Sequence, residues 1–489
     1  MSLPNLPDEL LLSLTGNLES QRDIYAFSRT NRRIHGIVNT CLYRHNIRLG
    51  SPGLCWAARH GREIAVRMFL EEGAGIHINV GSLLPLHPPP LSLAVEYGHF
   101  AVVKLLLENG VDVDSKNDRY ETALYKAAVL DHDSMVKLLV EKGADLGLKD
   151  SHGRTALHWA VWNGNLASAM LLLENGADVN STNRDSETVL STAVQHNYHA
   201  VVKVLIEKGA DIDPKNRFGR TPLSLAARNG NEAIVNFLHE KGADVDSNDY
   251  CGQTPLSLAA ERGHEAMVKL LFNKGAAVDS RSDEPCGCFL EIGADVDPDA
   301  TRSPLSWAAE RGRVAVMKIL LENGANVDST MSMDDNRTPL LVALSTGNND
   351  AIKLLLNNGA NVDSKDIIGQ TALSWAAKNN EEDIMKLLLE MGAEVDSTDN
   401  RSGRRTPLSW AAGRGYAPAV KLLLEHGAKV DLKDNYGRTP LSYAKEFRDK
   451  HIIKLITDYQ RRSELSRAAE SGREAVVGLV NRITATVLR

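Results

Sequence analysis

Residues 221–253 read TPLSLAARNGNEAIVNFLHEKGADVDSNDYCGQ and predict two short helices followed by a finger-like loop. Thr221 is placed to cap a helix through its hydroxyl group, and Pro222 suits the first helical position, where a missing amide hydrogen costs nothing. An Asn-Gly turn leads into a second helix, which Gly242 ends in a left-handed cap. Residues 243–253 then predict a short extended finger with turn residues at its tip. The positions predicted to face inward are Leu223, Leu225, Ala226, Ala227, Ile234, Val235 and Leu238.

The same plan recurs along the chain with a period of 33 residues. Equivalent threonines stand at Thr122, Thr155, Thr188, Thr221 and Thr254, and the register resumes at Thr338, Thr371, Thr406 and Thr439. One copy cannot bury its apolar face alone, whereas stacked neighbours can. The period and the T-P-L-x-x-A-A pattern resemble the ankyrin repeat over residues 51–489, with about 12 copies. The resemblance implies an α-solenoid with short β-hairpin fingers.

Two places depart from this register. Between Thr254 and Ser303 the step is 49 residues, which is 17 short of two periods. This shortfall predicts a truncated repeat near residues 276–302 that lacks its first helix. Neighbouring apolar faces would then be partly uncovered, so we expect this region to be the weakest point of the array. An incorrectly joined gene would explain the same shortfall, and the sequence leaves both explanations open. Residues 463–489 carry the two-helix pattern without a finger, and Arg467 stands at an otherwise apolar position, which predicts a C-terminal cap.

Five of the six tryptophans occupy one position of the repeat: Trp56, Trp159, Trp307, Trp375 and Trp410. Leucine, valine or tyrosine stands there in other copies, so packing between repeats is the favoured interpretation. An aromatic groove that binds a ligand is the alternative.

Composition argues against several functional classes. A net charge of −7 does not indicate a nucleic-acid partner, and the acidic repeats favour a protein partner with basic patches. No apolar run approaches the roughly 18 residues of a membrane span, and no signal peptide is visible. Five cysteines in 489 residues cannot form a disulfide framework, so we expect a reduced cytoplasmic and/or nuclear setting.

The motifs that usually carry chemistry are absent from the sequence. There is no G-x-x-x-x-G-K-[ST], G-x-S-x-G or H-E-x-x-H, which predicts that the protein is not an enzyme and uses no cofactor. Cys286 and Cys288 form a lone C-x-C without further ligands, so we predict no metal site. The Asp-x-Asp pairs lack the glycine and glutamate of a calcium loop and are interpreted as finger residues. His158, in TALHWA, resembles an ankyrin histidine that braces the turn.

The N-terminal segment does not follow the repeat. Residues 6–44 read LPDELLLSLTGNLESQRDIYAFSRTNRRIHGIVNTCLYR and predict three helices, the first of which begins at Pro7. The first of them carries more leucine than one short buried face requires. The segment resembles the F-box, and the matching positions are Leu6, Pro7, Glu9, Leu10, Ile24, Arg32 and Arg33. The resemblance implies that a Skp-type adaptor of a cullin–RING ubiquitin ligase is bound by Leu6, Pro7, Glu9, Leu10, Leu14 and Ile24.

The predicted fold is therefore all-α. It has a small N-terminal three-helix F-box-like domain over residues 1–50, followed by an ankyrin-repeat α-solenoid with short β-hairpin fingers over residues 51–489. We expect a target protein to bind the finger tips and the exposed concave positions of the first helices, because the tips vary while the framework stays fixed. The predicted target-binding residues are Arg119, Tyr120, His152, Arg154, Arg217, Phe218, Tyr250 and Tyr436.

Two functions fit these features. In the first, the chain is a ligase substrate receptor, with the adaptor at its N-terminal helices and the target on its repeats. In the second, it is a binding scaffold without a ligase, and the N-terminal helices only cap the first repeat. The identity of the target and the oligomeric state stay open.

Overall fold

The computed structural model describes residues 52–72, 88–279, 302–330, 337–400 and 403–465, and these residues form paired helices. They belong to two compact units. The first unit holds the residues up to 226 together with 233–243, and the second holds 227–232 together with the residues from 244 onwards.

The helices follow one another in chain order as a first and a second helix for each repeat. Those of the first unit are α1 (Pro52–Arg59), α2 (Glu63–Glu71), α3 (Pro90–Glu96), α4 (Phe100–Glu108), α5 (Ala123–Val129), α6 (Asp133–Glu141), α7 (Ala156–Trp162), α8 (Leu166–Glu174), α9 (Val189–Gln195) and α10 (His199–Glu207). Helices α11 (Pro222–Asn229) and α12 (Glu232–Glu240) contain residues of both units. Those of the second unit are α13 (Pro255–Arg262), α14 (Glu265–Asn273), α15 (Pro304–Glu310), α16 (Val314–Glu322), α17 (Pro339–Thr346), α18 (Asn349–Asn357), α19 (Ala372–Asn379), α20 (Glu382–Glu390), α21 (Pro407–Arg414), α22 (Ala417–Glu425) and α23 (Pro440–Glu446), and residues 450–465 are also helical.

The predicted threonine caps are present at the starts of the first helices. Thr254 Oγ1 accepts a hydrogen bond from the backbone N–H of Ser257 at 3.2 Å. The same cap forms at Thr122, Thr155, Thr188, Thr221, Thr371, Thr406 and Thr439. Each cap satisfies a donor that a helix start leaves open and is worth about 1 kcal/mol. Thr338 differs, because its hydroxyl lies 3.2 Å from Ser364 Oγ and caps no helix.

Packing joins like helices of neighbouring repeats within each unit. First helices α1, α3, α5, α7 and α9 pack consecutively in the first unit, and α13, α15, α17, α19, α21 and α23 do so in the second. Alanines such as Ala127, Ala160 and Ala193 are fully buried there, and their small side chains let the helices approach closely. All seven positions predicted to face inward in residues 221–253 are at most 4% exposed. Burying each of the large ones contributes about 1.5–3 kcal/mol.

Side chains at the starts of second helices also tie neighbouring repeats together. His99 Nε2 lies 3.0 Å from the carbonyl oxygen of Arg59, and Asn165 Nδ2 donates to the carbonyl oxygen of Ala128 at 2.8 Å. In both cases the carbonyl belongs to the end of the preceding first helix, where it has no partner inside the helix. These bonds therefore fix how one repeat sits on the next.

The fingers are tight loops closed by one acidic or amide side chain. Asp150 Oδ1 accepts hydrogen bonds from the backbone N–H groups of His152 and Arg154 at 2.8 and 2.9 Å. The same loop begins at Asn117, Asn183, Asn216, Asp249, Asp366 and Asp434.

The expected β-hairpins need correction. Within the described residues the fingers contain no strand, and only two isolated bridges occur, at Thr182–Thr188 and Lys365–Thr371. The reason is that each loop closes on itself: the side chain of its first residue accepts two of the N–H groups, and a single backbone bond, such as that from the N–H of Asp150 to the carbonyl group of Arg154 at 2.9 Å, stands in place of a strand ladder.

The repeats on either side of the predicted truncation are direct neighbours. Helix α13 packs on α15, α14 packs on α16, and the apolar residues of α13 are buried. The guanidinium group of Arg311 bonds the carboxylate of Glu261 at 3.1 Å, and the N–H of Asn326 donates to Asp279 Oδ2 at 3.0 Å. The expectation of uncovered apolar faces is therefore wrong, because the two repeats cover each other. Residues 280–301 themselves lie outside the described residues.

Candidate functional site

Backbone hydrogen bonds join neighbouring finger tips within each unit. In the first unit, the N–H groups of Ser151, Arg184 and Arg217 donate to the carbonyl groups of Arg119, His152 and Asp185 at 3.1, 3.0 and 3.0 Å. In the second unit, the N–H groups of Asn400 and Asn435 donate to the carbonyl groups of Ile368 and Gly403 at 2.9 and 2.7 Å. Each unit thus holds its tips at fixed positions, as a binding surface requires.

Most of the predicted target-binding residues extend from these tips into solvent. Arg119, Tyr120, His152, Arg217, Phe218, Tyr250 and Tyr436 are all exposed. Tyr120 and Tyr436 are 60% and 75% exposed, which is unusual for large aromatic side chains. Sequence reasoning missed Ile367, which is 53% exposed at the equivalent tip. The signal was an isoleucine pair inside a turn, in DIIGQ.

Arg154 differs from the other predicted residues, because it interacts with its own repeat. Its Nε lies 3.5 Å from Asp150 Oδ2, and its guanidinium carbon lies 4.1 Å from the centre of the Trp159 ring. Its side chain is only 16% exposed. Arg154 therefore links the finger to helix α7 and offers little surface to a target.

The tryptophan position also links a first helix to its own finger. Trp159 Nε1 donates to Asp150 Oδ2, and Trp410 Nε1 donates to Asp399 Oδ2, both at 3.0 Å. The guanidinium carbon of Arg405 lies 3.8 Å from the centre of the Trp410 ring. Both rings also contact the preceding repeat, since the Tyr125 ring centre lies 5.0 Å from that of Trp159 and Lys378 Nζ lies 4.9 Å from the centre of the Trp410 ring. Packing between repeats is therefore confirmed for these two tryptophans.

The Asp-x-Asp pairs of the fingers bind backbone groups. Asp112 Oδ1 accepts from the N–H of Asp114 at 2.9 Å, and Asp114 Oδ1 accepts from the N–H of Asp145 in the next repeat at 3.1 Å. Burial raises the pKa of Asp114. The contact between repeats recurs in Asp246–Ala277, Asp279–Asn326, Asp328–Asn361, Asp363–Glu394 and Asp396–Lys429. Within the described ranges, no three or more His, Cys, Asp or Glu side chains are grouped to hold a metal ion.

His158 braces the start of helix α7, as predicted. Its side chain is 1% exposed, and its Nδ1 accepts a hydrogen bond from the backbone N–H of Thr155 at 3.3 Å. The Thr155 hydroxyl lies 3.0 Å from the same nitrogen and caps the helix in return. Burial lowers the pKa of His158 to about 4, so the ring is neutral near pH 7.

Several predictions lie outside the described residues and stay predictions. They concern the adaptor-binding residues Leu6, Pro7, Glu9, Leu10, Leu14 and Ile24, the C-x-C pair, and the C-terminal cap around Arg467. No helix in the described part of the chain is long and apolar enough to cross a membrane.

Comparison with known proteins identifies one family. The family model described as "Ankyrin repeats (3 copies)" matches overlapping windows at residues 30–117, 91–183, 172–249, 190–282, 248–331, 277–366, 305–399 and 373–468. No F-box family model matches the N-terminal segment. The curated proteins contain no match to the chain.

Proposed function

The chain belongs to the ankyrin-repeat family and is a protein-binding module, and from this premise we propose that it is the substrate receptor of a cullin–RING ubiquitin ligase. In this proposal, residues 1–50 bind a Skp-type adaptor and the repeats bind a target protein. Ankyrin repeats are non-enzymatic binding scaffolds, so ubiquitin transfer is carried out by the ligase.

The division between framework and tips supports target binding by the repeats. Framework side chains such as Trp159 and Asp150 bond each other, whereas the aromatic rings of Tyr120, Phe218 and Tyr436 are exposed on tips whose backbones are held in place. Aromatic and arginine side chains contribute most to the energy of protein interfaces. This exposure is the observation on which the binding half of the proposal rests.

The sequence of the N-terminal segment supports adaptor binding. Leu6, Pro7 and Leu10 match the F-box pattern, and Ile24 follows at the start of the predicted second helix. All four precede residue 30, where the first ankyrin-repeat window begins.

The second candidate function is a scaffold without a ligase, in which the N-terminal helices cap the first repeat. The window 30–117 favours this alternative, because it includes residues 30–50 of the predicted F-box-like domain. A cap would bind no adaptor, and changes in it would loosen the first repeat around Trp56.

The deciding experiment is retention of a purified Skp-type adaptor by tagged full-length protein. The variant L6A/P7A/L10A removes a predicted apolar anchor, and each buried leucine-to-alanine change costs roughly 2–5 kcal/mol, so adaptor retention should fall more than tenfold. The matched control is Y120A/F218A, which should keep the adaptor and lose targets identified by mass spectrometry from the same pull-downs. Thermal unfolding of all three proteins checks the fold. If the wild type retains no adaptor, the ligase proposal is refuted and the scaffold remains.

A further inference from the structure

The first unit contains a hollow of about 250 Å³ between helix α3, the finger at residues 117–121 and the start of helix α5. Ser92 and Glu96 line it from the helix α3 side. Asp118, Arg119, Glu121 and Lys126 line it from the side of the finger and helix α5.

The hollow lies where this repeat departs from the tryptophan pattern. Lys126 occupies the position that Trp159 occupies in the next repeat, and Glu121 occupies the position of Arg154. In the next repeat the guanidinium carbon of Arg154 lies 4.1 Å from the centre of the Trp159 ring, which fills the space between finger and helix. Here an ion pair between Lys126 Nζ and Glu121 Oε2, at 3.2 Å, replaces the Arg154–Trp159 pair, and it contains no aromatic ring. The space that an indole would fill therefore stays open.

The charges around the hollow are only partly balanced. Glu121 accepts a hydrogen bond from Asn117 Nδ2 at 2.8 Å in addition to its ion pair with Lys126, so this inner pair is neutral and satisfied. Glu96 and Asp118 are exposed and form no ion pair with another described residue. The wall thus presents two unpaired carboxylates beside the single cation of Arg119.

A buried serine adds an unsatisfied acceptor to the same wall. Ser92 is 2% exposed, and its Oγ has no hydrogen-bond partner within the described residues. In another repeat the equivalent Ser257 hydroxyl lies 3.3 Å from the Thr254 hydroxyl. Helix α3 begins after Pro89, which has no hydroxyl, so Ser92 lacks this partner. A ligand that donates hydrogen bonds would satisfy it after a rotation of the serine side chain.

We propose that this hollow binds the guanidinium group of an arginine side chain of the target protein, an inference that rests on target binding by the repeats. A guanidinium group carries one positive charge and five N–H donors in a planar fork, and it has no acceptor. It can therefore face the carboxylates of Glu96 and Asp118 with different edges and still direct a donor to Ser92 Oγ. An ammonium group lacks this planar geometry, and an anion would meet two unpaired carboxylates.

The first test uses full-length protein and three small probes in isothermal titration calorimetry. N-acetyl-argininamide should bind with a millimolar dissociation constant. N-acetyl-citrullinamide has nearly the same shape without the charge and should bind at least about fivefold more weakly, because each exposed ion pair contributes up to about 1 kcal/mol. N-acetyl-lysinamide should also bind more weakly than the arginine probe. Equal binding of the arginine and citrulline probes, or no binding of the arginine probe, would overturn the proposal.

Variants then assign the binding to the hollow. E96Q/D118N should weaken the arginine probe about fivefold, whereas R119Q should tighten it, because it removes the competing cation. K126W should abolish binding by filling the hollow, and the exposed-site control E108Q should change nothing. Unchanged affinity in both E96Q/D118N and R119Q would overturn the proposal whether or not K126W folds. If Y120A/F218A loses target capture while the wild type does not bind the arginine probe, the proposed function stands and only this inference is refuted.

Discussion

His158 should make the stability of its repeat depend on pH. Its Nδ1 accepts the Thr155 N–H, so the ring can fill this role only while that nitrogen is unprotonated. The change to test is H158S. Eight other repeats in the described part of the chain have a serine at this position (Ser92, Ser191, Ser224, Ser257, Ser306, Ser374, Ser409 and Ser442), and at Thr439 such a serine completes the same capping arrangement. The variant therefore keeps the cap and removes the titrating group.

The expected magnitude follows from the two pKa values of the histidine. The pKa is about 4 in the folded protein against 6.5 in the unfolded chain. Between these pKa values the unfolded chain binds more protons than the folded protein. The free energy of unfolding therefore falls as the pH drops from 6.5, and the fall is complete near pH 4. A difference of roughly 2.5 pKa units (6.5 − 4) corresponds to about 3 kcal/mol. H158S should lack this loss.

The assay is hydrogen exchange, because a long repeat array does not unfold in one step and the effect is local. Protection of the amides in helices α7 and α8 is measured at pH 6.5 and pH 4 and corrected for intrinsic exchange rates. Between these pH values it should fall by about two powers of ten more in the wild type than in H158S. Helices α19 and α20 serve as the internal reference and should behave alike in both proteins. Parallel pH profiles of the two proteins in α7 and α8 would show that His158 does not make the stability of its repeat depend on pH.

Three further changes test other parts of the structure. Replacing Pro89 by threonine should supply the missing cap for the N–H of Ser92 and raise the protection of helix α3 by about 1 kcal/mol in hydrogen exchange. W159F removes the indole donor to Asp150 and should cost about 1 kcal/mol in local exchange, whereas W56F, at a side chain 54% exposed, should cost nothing measurable. Excising residues 283–298 shortens the step between repeats from 49 to 33 residues and should leave the midpoint of urea unfolding unchanged, because α13 already packs on α15; a lower midpoint would show that these residues support the stack.

The features that the sequence predicted correctly are those set by local rules. Thr254 and its equivalents cap helices because the hydroxyl meets a backbone donor three residues later, and that relation needs no knowledge of the rest of the fold. The inward positions around Leu223 follow from helical spacing in the same way. His158 could be assigned a structural role because its place in the repeat coincides with that capping position.

The features that the sequence did not predict depend on contacts and distances between a finger and a helix, which the spacing of residues along the chain does not give. Arg154 looked like an exposed tip residue, but the ring of Trp159 and the carboxylate of Asp150 hold it against the framework. The hollow beside Lys126 could not be seen either, because its volume depends on the distance between a finger and a neighbouring helix. The extended backbone predicted for the fingers suggested β-hairpins. In the structure, Asp150 and its equivalents accept two backbone N–H groups of each loop, which a partner strand would otherwise bind.

The irregular step at residues 254–303 shows why a period alone cannot locate a missing or added segment. A step of 49 residues is 17 short of two periods, but it is also 16 longer than one period of 33. The hydrogen bond from a finger aspartate to the next repeat distinguishes these two descriptions. Asp246 and Ala277 are 31 residues apart, whereas Asp279 and Asn326 are 47 apart, again an excess of 16. Since both bonds have the same role and similar length, 3.0 Å in each case, the repeats that they join are equivalent neighbours. The repeats on either side of residues 280–301 therefore pack as direct neighbours although the chain between them is 16 residues longer than one period.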